Sequence, residues 1–147
     1  LRLSRVATPE IYTEETNFEI GKGIQIGEGR DATIFATGVT VSESIKAQEK
    51  LKEIGIDVRV VDIHTIKPID EDLIVKCAME TRKLITVEDH SIIGGLGGAV
   101  EDVLCSKYPR TLKKLGINDT FGESGKAEEL LKKYEIDADA SIKAVKL

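Results

Sequence analysis

The stretch TVEDHSIIGGLGGAVEDVL, from Thr86 to Leu104, decides the fold of this chain. It begins as an apolar strand that ends in a charged cluster, and it then passes through four glycines within five residues. Apolar residues at helical spacing follow, at Val100, Val103 and Leu104. The pattern predicts a strand, a glycine-rich turn and a helix, with a polar tip between the strand and the helix.

The segments before this stretch repeat the alternation of strand and helix. Residues 32–37 and 58–63 are apolar, β-branched runs of the kind that parallel sheets bury on both faces. Helical spacing follows each run, over residues 39–54 and from Asp70 to near Lys83. We therefore predict an α/β fold in which helices sandwich a parallel or mostly parallel sheet.

Weaker patterns predict the remaining elements. Residues 23–27 indicate a short strand, and residues 112–117 indicate a further edge strand. Two short helices are predicted at the end of the chain, over residues 127–134 and 138–145, and Asp137 is the expected N-cap of the second.

Residues 1–22 differ from the rest because they have no sustained period. They carry Pro9 and a polar stretch over residues 13–17, which is typical of an extended arm or linker. The predicted division is therefore an arm over residues 1–22 and one packed domain over residues 23–147. Since the chain starts at Leu1 without a methionine, we expect it to be a piece of a longer protein.

Composition and charge exclude several functional classes. The formal net charge of −5 comes from intermixed signs, which disfavours binding to nucleic acid or to an acidic membrane surface. There is no apolar run near 18 residues and no signal-peptide pattern, so we expect a soluble, cytoplasmic protein. The cysteines, Cys77 and Cys105, lack metal-ligand spacing and are interpreted as small core hydrophobes in a reducing compartment.

The common catalytic and nucleotide-binding motifs are absent from the sequence. The glycines do not fit G-x-G-x-x-G, because Val100 stands where the third glycine is needed. There is no phosphate-binding loop of the G-x-x-x-x-G-K-[ST] type, no G-x-S-x-G turn and no histidine pair at metal-ligand spacing. The remaining candidates for catalytic or binding residues are isolated polar side chains.

The two histidines each follow a predicted strand, so both fall at the carboxyl edge of the predicted sheet. His64 and His90 could act as acid/base or phosphate-contacting groups. They could also be loop histidines that are hydrogen-bonded to backbone or lie at a subunit contact, which is the interpretation we favour. Glu88 and Asp89 are adjacent in a strand and must point to opposite faces, which excludes a catalytic pair. A capping or salt-bridge role for at least one of them is favoured.

Arginines in the arm are the remaining candidates. A guanidinium group offers a planar fork of donors suited to phosphate, and Arg2 and Arg5 lie in a segment able to reach a site built by other domains. On composition alone, solvated terminal arginines are the favoured interpretation.

Four motifs, in this order, resemble those of transketolases. They are TGVT at residues 37–40, DIHTIKPID at 62–70, VEDH followed by GGLG within 87–97, and GESGKAEELL at 122–131. The departure from the family pattern is small, since Ala127 stands in place of a proline. The chain resembles the C-terminal domain of this thiamine-diphosphate enzyme family along nearly its whole length.

The resemblance implies a three-layer α/β/α sandwich around a five-stranded, mostly parallel sheet. It also implies a parent enzyme, a dimer of the pentose phosphate pathway, that transfers a two-carbon ketol unit between sugar phosphates. Thiamine diphosphate and Mg²⁺ would lie between preceding domains, so this chain would bind neither and would be inactive alone. Its partners would be the remaining transketolase domains or a separately encoded half. Residues 1–22 would be an arm or linker that follows a preceding pyrimidine-binding domain. Of the family's site residues, only the arginine that contacts the sugar phosphate would have a counterpart in this chain, which is Arg5.

Two alternatives stay open. One is the related domain of deoxyxylulose-phosphate synthase or of a 2-oxoacid dehydrogenase β subunit; residues 65–70 do not separate these families, whereas residues 87–90 lean toward transketolase. The other is a non-catalytic assembly or regulatory module, in which the glycine turn contacts another subunit or binds a small anion at the helix N-terminus.

Overall fold

The structure, a computed structural model, describes residue 4 and residues 7–147. Its strands and helices alternate along most of the chain, as the sequence predicts. In chain order they are β1 (Ile24–Ile26), β2 (Ala32–Ala36), α1 (Thr40–Glu53), β3 (Val58–Asp62), α2 (Glu71–Glu80), β4 (Lys83–Ser91), α3 (Leu96–Lys107), β5 (Leu112–Ile117), α4 (Ala127–Lys133) and α5 (Ala138–Lys146).

The five strands form one sheet in the order β1-β3-β2-β4-β5. Strand β1 pairs antiparallel with β3, whereas the pairs β3–β2, β2–β4 and β4–β5 are all parallel. The mostly parallel, five-stranded sheet is therefore confirmed. Because β2, β3 and β4 point the same way, their last residues meet along one side of the sheet, which we call the carboxyl edge.

Helices cover both faces of the sheet. Neighbouring residues of a strand point to opposite faces, so Phe35 and Val61 pack on one side with α2 and α3. Ile34 and Val60 pack on the other side with α1 and α5. All four side chains are completely buried, which explains the unbroken apolar runs in the sequence. The predicted three-layer α/β/α sandwich is confirmed.

Two helices are capped by aspartates, α5 by Asp137 as expected and α2 by Asp70, which was predicted only to begin its helix. The Asp70 carboxylate accepts a hydrogen bond from the backbone N–H of Leu73 at the start of α2. Asp137 does the same for Ala140 at the start of α5. Each bond satisfies a backbone donor that has no partner within its helix.

Strand β4 is longer than predicted. It continues past the apolar run to Ser91, with a register shift against β5 between Val87 and Ser91. His90 therefore lies inside the strand and not after it, which corrects the prediction. The charged residues interrupt the apolar pattern without ending the backbone pairing.

The two cysteines differ in burial. Cys77 is completely buried on α2, as expected, but Cys105 is exposed, which corrects the prediction for that residue. On α3 the buried face includes Val103 and Leu104, and the following position turns away from the core.

Residues 7–22 contain neither a strand nor a helix. The division at residue 22 stays a prediction. Among the described residues, no helix has both the length and the apolar character needed to cross a bilayer.

Candidate functional site

A buried carboxylate closes the N-terminus of α3. The Glu88 side chain is completely buried at the carboxyl edge and accepts hydrogen bonds from the backbone N–H groups of Leu96, at 2.7 Å, and Gly97, at 2.9 Å. His90 Nδ1 lies 3.0 Å from Glu88 Oε2. The negative charge faces the positive end of the helix dipole. Glu88 is thus the capping group, which confirms a structural role for one of the two adjacent carboxylates.

The glycines of the turn make room for this carboxylate. A Cβ atom on Gly95 would overlap Glu88 Oε2, and one on Gly97 would lie 2.9 Å from Glu88 Oε1. Gly116 on β5 also lies close, because its Cβ would be 3.1 Å from Glu88 Cγ. The glycine-rich turn therefore encloses a side chain of its own domain, and Glu88 occupies the place that an anion would need at this helix N-terminus.

A second polar cluster at the carboxyl edge joins the arm to the end of β3. The Tyr12 hydroxyl donates a 2.5 Å hydrogen bond to Asp62 Oδ2, although 50 residues separate the two. Asp62 is only 6% exposed, and its other oxygen, Oδ1, has no hydrogen-bond partner among the described residues. The phenol is therefore the donor that this buried carboxylate depends on.

The environment alters the protonation equilibria of both groups. Burial raises the pKa of the Asp62 carboxyl, and this effect outweighs the Tyr12 hydrogen bond and the charge of His64, which lower it. Burial and the neighbouring carboxylate also raise the pKa of the Tyr12 phenol. The phenol consequently stays protonated at neutral pH and available as a donor.

Aromatic rings extend this cluster. Phe18 packs edge-on against Tyr12, with ring centroids 5.0 Å apart, and against His64, at 5.4 Å. His64 Nδ1 lies 2.9 Å from the Thr65 hydroxyl, and its buried Nε2 has no partner among the described residues. The ring of His64 therefore serves as a packing surface for the arm.

A further anchor holds the end of the arm. Asp70 Oδ2 accepts a hydrogen bond from the backbone N–H of Gly23, while its Oδ1 caps α2. Gly21 has a φ of +84°, which favours glycine, and its Cβ would lie 3.0 Å from Pro68 Cγ. The stretch from residue 62 to residue 70 thus has two contacts with this part of the chain: Asp62 at its start bonds Tyr12, and Asp70 at its end bonds Gly23, directly after the arm.

A cleft of about 660 Å³ opens between the arm and the carboxyl edge. Residues 8–14 form one wall, and Asp62, His64 and the turn from β2 to α1 form the other. Ser4 also lines this cleft.

The groups hydrogen-bonded to Asp62 and His64 are hydroxyls of the same chain. Asp62 accepts from the Tyr12 phenol, which joins the arm to the carboxyl edge, and His64 Nδ1 lies beside the Thr65 hydroxyl. Among residue 4 and residues 7–147, no group of three histidine, cysteine or carboxylate side chains is arranged to hold a metal ion.

The predicted site residues are distributed as follows. His64 and His90 both lie at the carboxyl edge, but β2 separates their strands, so they belong to different clusters. His90 pairs with Glu88, and Asp89 is exposed. Arg5, together with Arg2, lies outside the described residues, so its assignment stays a prediction.

Sequence reasoning missed Tyr12 and Asp62. Asp62 lies within the motif at residues 62–70, and its position at the end of an apolar strand is a usable signal. Tyr12 offers no comparable signal, because the arm has no periodic pattern that would place it on a face.

Comparisons with known proteins agree with this fold. The family model described as "Transketolase, C-terminal domain" matches residues 21–140. A protein of Methanocaldococcus jannaschii described as a transketolase C-terminal section is 50% identical, covering 99% of this chain and 46% of that protein. The transketolase of Rattus norvegicus is 40% identical, with coverage of 99% and 24% respectively.

A solved structure is also similar. It is described as a split gene transketolase in an inactive β4 tetramer, and it superposes with a TM-score of 0.92 and 42% identity, covering 97% of this chain and 46% of that one. The chain thus spans under half the length of the relatives it matches. The match over residues 21–140 and the shared architecture lead to one conclusion: the chain belongs to the transketolase C-terminal domain family.

Proposed function

We propose that this chain forms the C-terminal part of a transketolase whose complete assembly transfers a two-carbon ketol unit between sugar phosphates. The observation that carries the proposal is the similarity to a split gene transketolase over 97% of the chain. The complete enzyme would be a dimer or an assembly of separately encoded halves, acting in the pentose phosphate pathway. A cytoplasmic location is part of the proposal and fits the two free thiols.

The residues that the structure describes do not form a site for the cofactor of the family. Thiamine diphosphate needs a site for its diphosphate and for a divalent ion such as Mg²⁺. The N-terminus of α3 is filled by Glu88, and no metal-binding group of side chains occurs among the described residues. We therefore propose that the preceding domains bind both cofactors. Thiamine diphosphate, when bound there, would supply the carbanion chemistry.

The arm supplies the proposed contribution of this chain to substrate binding. Arg5 would pair with the phosphate of the sugar substrate, since a guanidinium fork matches phosphate oxygens. Ser4, its neighbour, lines the cleft at the carboxyl edge, and this supports an arm that runs along the domain.

The test is reconstitution. The full-length protein that carries this chain is mixed with the thiamine-diphosphate-binding partner, and ketol transfer between sugar phosphates is measured. We expect turnover from the mixture and none from the chain of residues 1–147 alone. Turnover by the isolated chain would contradict the proposal, and so would an inactive mixture in which the two proteins demonstrably associate.

The same assembly distinguishes the alternatives. Turnover only with the substrates of deoxyxylulose-phosphate synthase or of a 2-oxoacid dehydrogenase would assign the chain to those neighbouring enzymes. Association without any turnover would assign it to the non-catalytic class of assembly modules.

A further inference from the structure

We propose that a cavity at the amino edge of the sheet binds a phosphate group between Arg30, Arg59 and Lys76. The amino edge is the side opposite the carboxyl edge, where β2, β3 and β4 begin. The inference is independent of the proposed function, because the residues that line this cavity and those that line the cleft beside the arm do not overlap.

The cavity has a volume of about 470 Å³, and its described lining consists of five charged side chains. Three of them are positive, Arg30, Arg59 and Lys76, and two are negative, Glu28 and Glu80. The lining therefore has one positive charge in excess, which favours an anion over a cation as the occupant.

Arg59 lies at the bottom of the cavity. It interrupts the apolar run of β3, and it is only 2% exposed. Its Nε donates to the carbonyl of Gly29 at 2.9 Å, and its Nη1 donates to Glu80 Oε2 at 2.6 Å. Among the described residues, its Nη2 has no hydrogen-bond partner. Nη2 is not one of the fully enclosed polar atoms that lack a partner, so it opens onto the cavity and is free to donate to a bound oxyanion.

Two further cations at the cavity are unpaired. Neither Arg30 nor Lys76 forms a side-chain hydrogen bond or an ion pair with another described residue. Both lie near Glu80, because their charges add to the hydrogen bond from Arg59 in lowering the pKa of that carboxyl. Three separate cationic groups around one cavity match the three terminal oxygens of a phosphate better than the two oxygens of a carboxylate.

The turn that carries Arg30 is fixed in place. Gly29 packs so closely on β3 that an added Cβ would overlap the carbonyl carbon of Val58. Asp31 donates its backbone N–H to the carbonyl of Asp57 at 2.8 Å, and Asp57 donates its own N–H to Asp31 Oδ2 at 2.8 Å. Because this wall of the cavity is already ordered, binding an anion there costs little conformational entropy.

The nearby end of α2 is also compensated. A free helix C-terminus carries partial negative charge and repels anions. Here the guanidinium group of Arg110 donates from Nη1 to the carbonyl of Ala78 and from Nη2 to the carbonyl of Thr81, at 3.0 Å. A positive side chain therefore neutralises the end of the helix that borders the cavity.

The experiment measures anion binding to the chain of residues 1–147, by isothermal titration calorimetry and by amide chemical shifts. The probes are inorganic phosphate, glycerol 3-phosphate and acetate, and chloride keeps the ionic strength constant because salt screens exposed charges. We expect a Kd for phosphate of about 1 mM, shifts centred on residues 28–30 and Lys76, and at least about fivefold weaker binding of acetate. Glycerol 3-phosphate that binds about tenfold more tightly than phosphate would assign the site to an organic phosphate, and equal affinities would assign it to the free ion.

Matched variants locate the site. Arg30→Gln and Lys76→Gln should each weaken phosphate binding about five- to tenfold, because each removes one charge-assisted contact. Glu28→Gln should strengthen binding about two- to fivefold, because it removes a repelling charge. The control is Lys52→Gln on α1, an exposed lysine that also lacks an ion pair among the described residues, and it should change the affinity less than about twofold. Arg59 is left unchanged, because its loss would disturb the fold.

Three results would overturn the inference. The first is the absence of saturable binding at about twenty times the expected Kd. The second is equal weakening by Lys52→Gln and Lys76→Gln, which would show unspecific attraction to surface charge. The third is acetate that binds as tightly as phosphate, which would contradict the phosphate class. None of these results affects the proposed function, which is tested by reconstitution.

Discussion

Glu88 offers the sharpest test of how this domain is held together, through the substitution Glu88→Gln. The wild-type carboxylate is completely buried and accepts two backbone N–H groups of α3, at 2.7 and 2.9 Å. Glutamine keeps the shape of the side chain but presents an NH₂ group where one oxygen stood. That NH₂ group cannot accept, so the N–H of either Leu96 or Gly97 loses its partner.

The magnitude follows from two losses and one gain. An unsatisfied buried donor costs about 1–3 kcal/mol. Removing the negative charge from a partly enclosed helix N-terminus costs up to about 2 kcal/mol more. The amide avoids the desolvation of a buried charge, but this gain is small because His90 and the two N–H groups already compensate the carboxylate. We expect a net loss of about 2–4 kcal/mol in the free energy of unfolding.

The assay is urea and thermal denaturation followed by circular dichroism. For a domain of this size, such a loss corresponds to a fall in Tm of about 4–16 °C. The control is Glu101→Gln, since Glu101 pairs with Lys114 at 2.7 Å while its side chain remains 50% exposed. Exposed ion pairs contribute at most about 1 kcal/mol, so the control should be nearly neutral. If Glu88→Gln costs less than about 1 kcal/mol, the capping argument is wrong.

Two further predictions use the same denaturation assay. Gly95→Ala should destabilise the domain by about 1–3 kcal/mol, because the added Cβ overlaps Glu88 Oε2. Gly98→Ala should instead stabilise it by up to about 1 kcal/mol, because the added Cβ has open space around it and alanine favours helix. Equal effects of the two substitutions would refute the packing account. The second of these predictions concerns pH. Because the pKa of Asp62 is raised, the folded state keeps the proton on this carboxyl to a higher pH than the unfolded state does. The stability of the wild type relative to Asp62→Asn should therefore fall as the pH rises from about 3.9, the unfolded value, through the raised pKa. A difference in stability that is independent of pH over this window would contradict the burial of a charged Asp62.

The layered fold was predictable because its determinants are local. Strands β2 and β3 are buried on both faces, so they appear in the sequence as unbroken apolar runs, and turn residues separate them from helices with a 3.6-residue period. Asp70 and Asp137 each precede a helical pattern directly, and an aspartate in that position favours the start of a helix because its carboxylate accepts a backbone N–H of the first turn. No long-range information is needed for any of these elements.

The end of β4 was not predictable from the same signals. A glutamate directly after an apolar run normally indicates that the chain has reached solvent, since buried carboxylates are rare. Glu88 is buried because a helix N-terminus eight residues later supplies its hydrogen bonds, and that geometry exists only once α3 has packed on the sheet. The prediction of a capping or salt-bridge role for at least one of the two adjacent carboxylates was correct, but the sequence could not say which residue or which role.

The contact between Tyr12 and Asp62 depends entirely on tertiary structure. It spans 50 residues, and the arm has no periodic pattern that would place Tyr12 on any face. Asp62 and Glu88 both lie at the carboxyl edge, which is where open α/β sheets bind ligands. Each carboxylate has a donor from its own chain, so position at that edge alone did not identify a ligand site.

The two buried carboxylates differ in where their donors come from. Both oxygens of Glu88 are used, within one strand-turn-helix unit, and this closes the position to anything else. Asp62 uses one oxygen, and its donor, Tyr12, lies in a segment that neither core cluster includes. Loss of the Glu88 contacts would therefore disturb the sandwich itself, whereas loss of the Tyr12 contact would release the arm from the carboxyl edge and leave both core clusters in place.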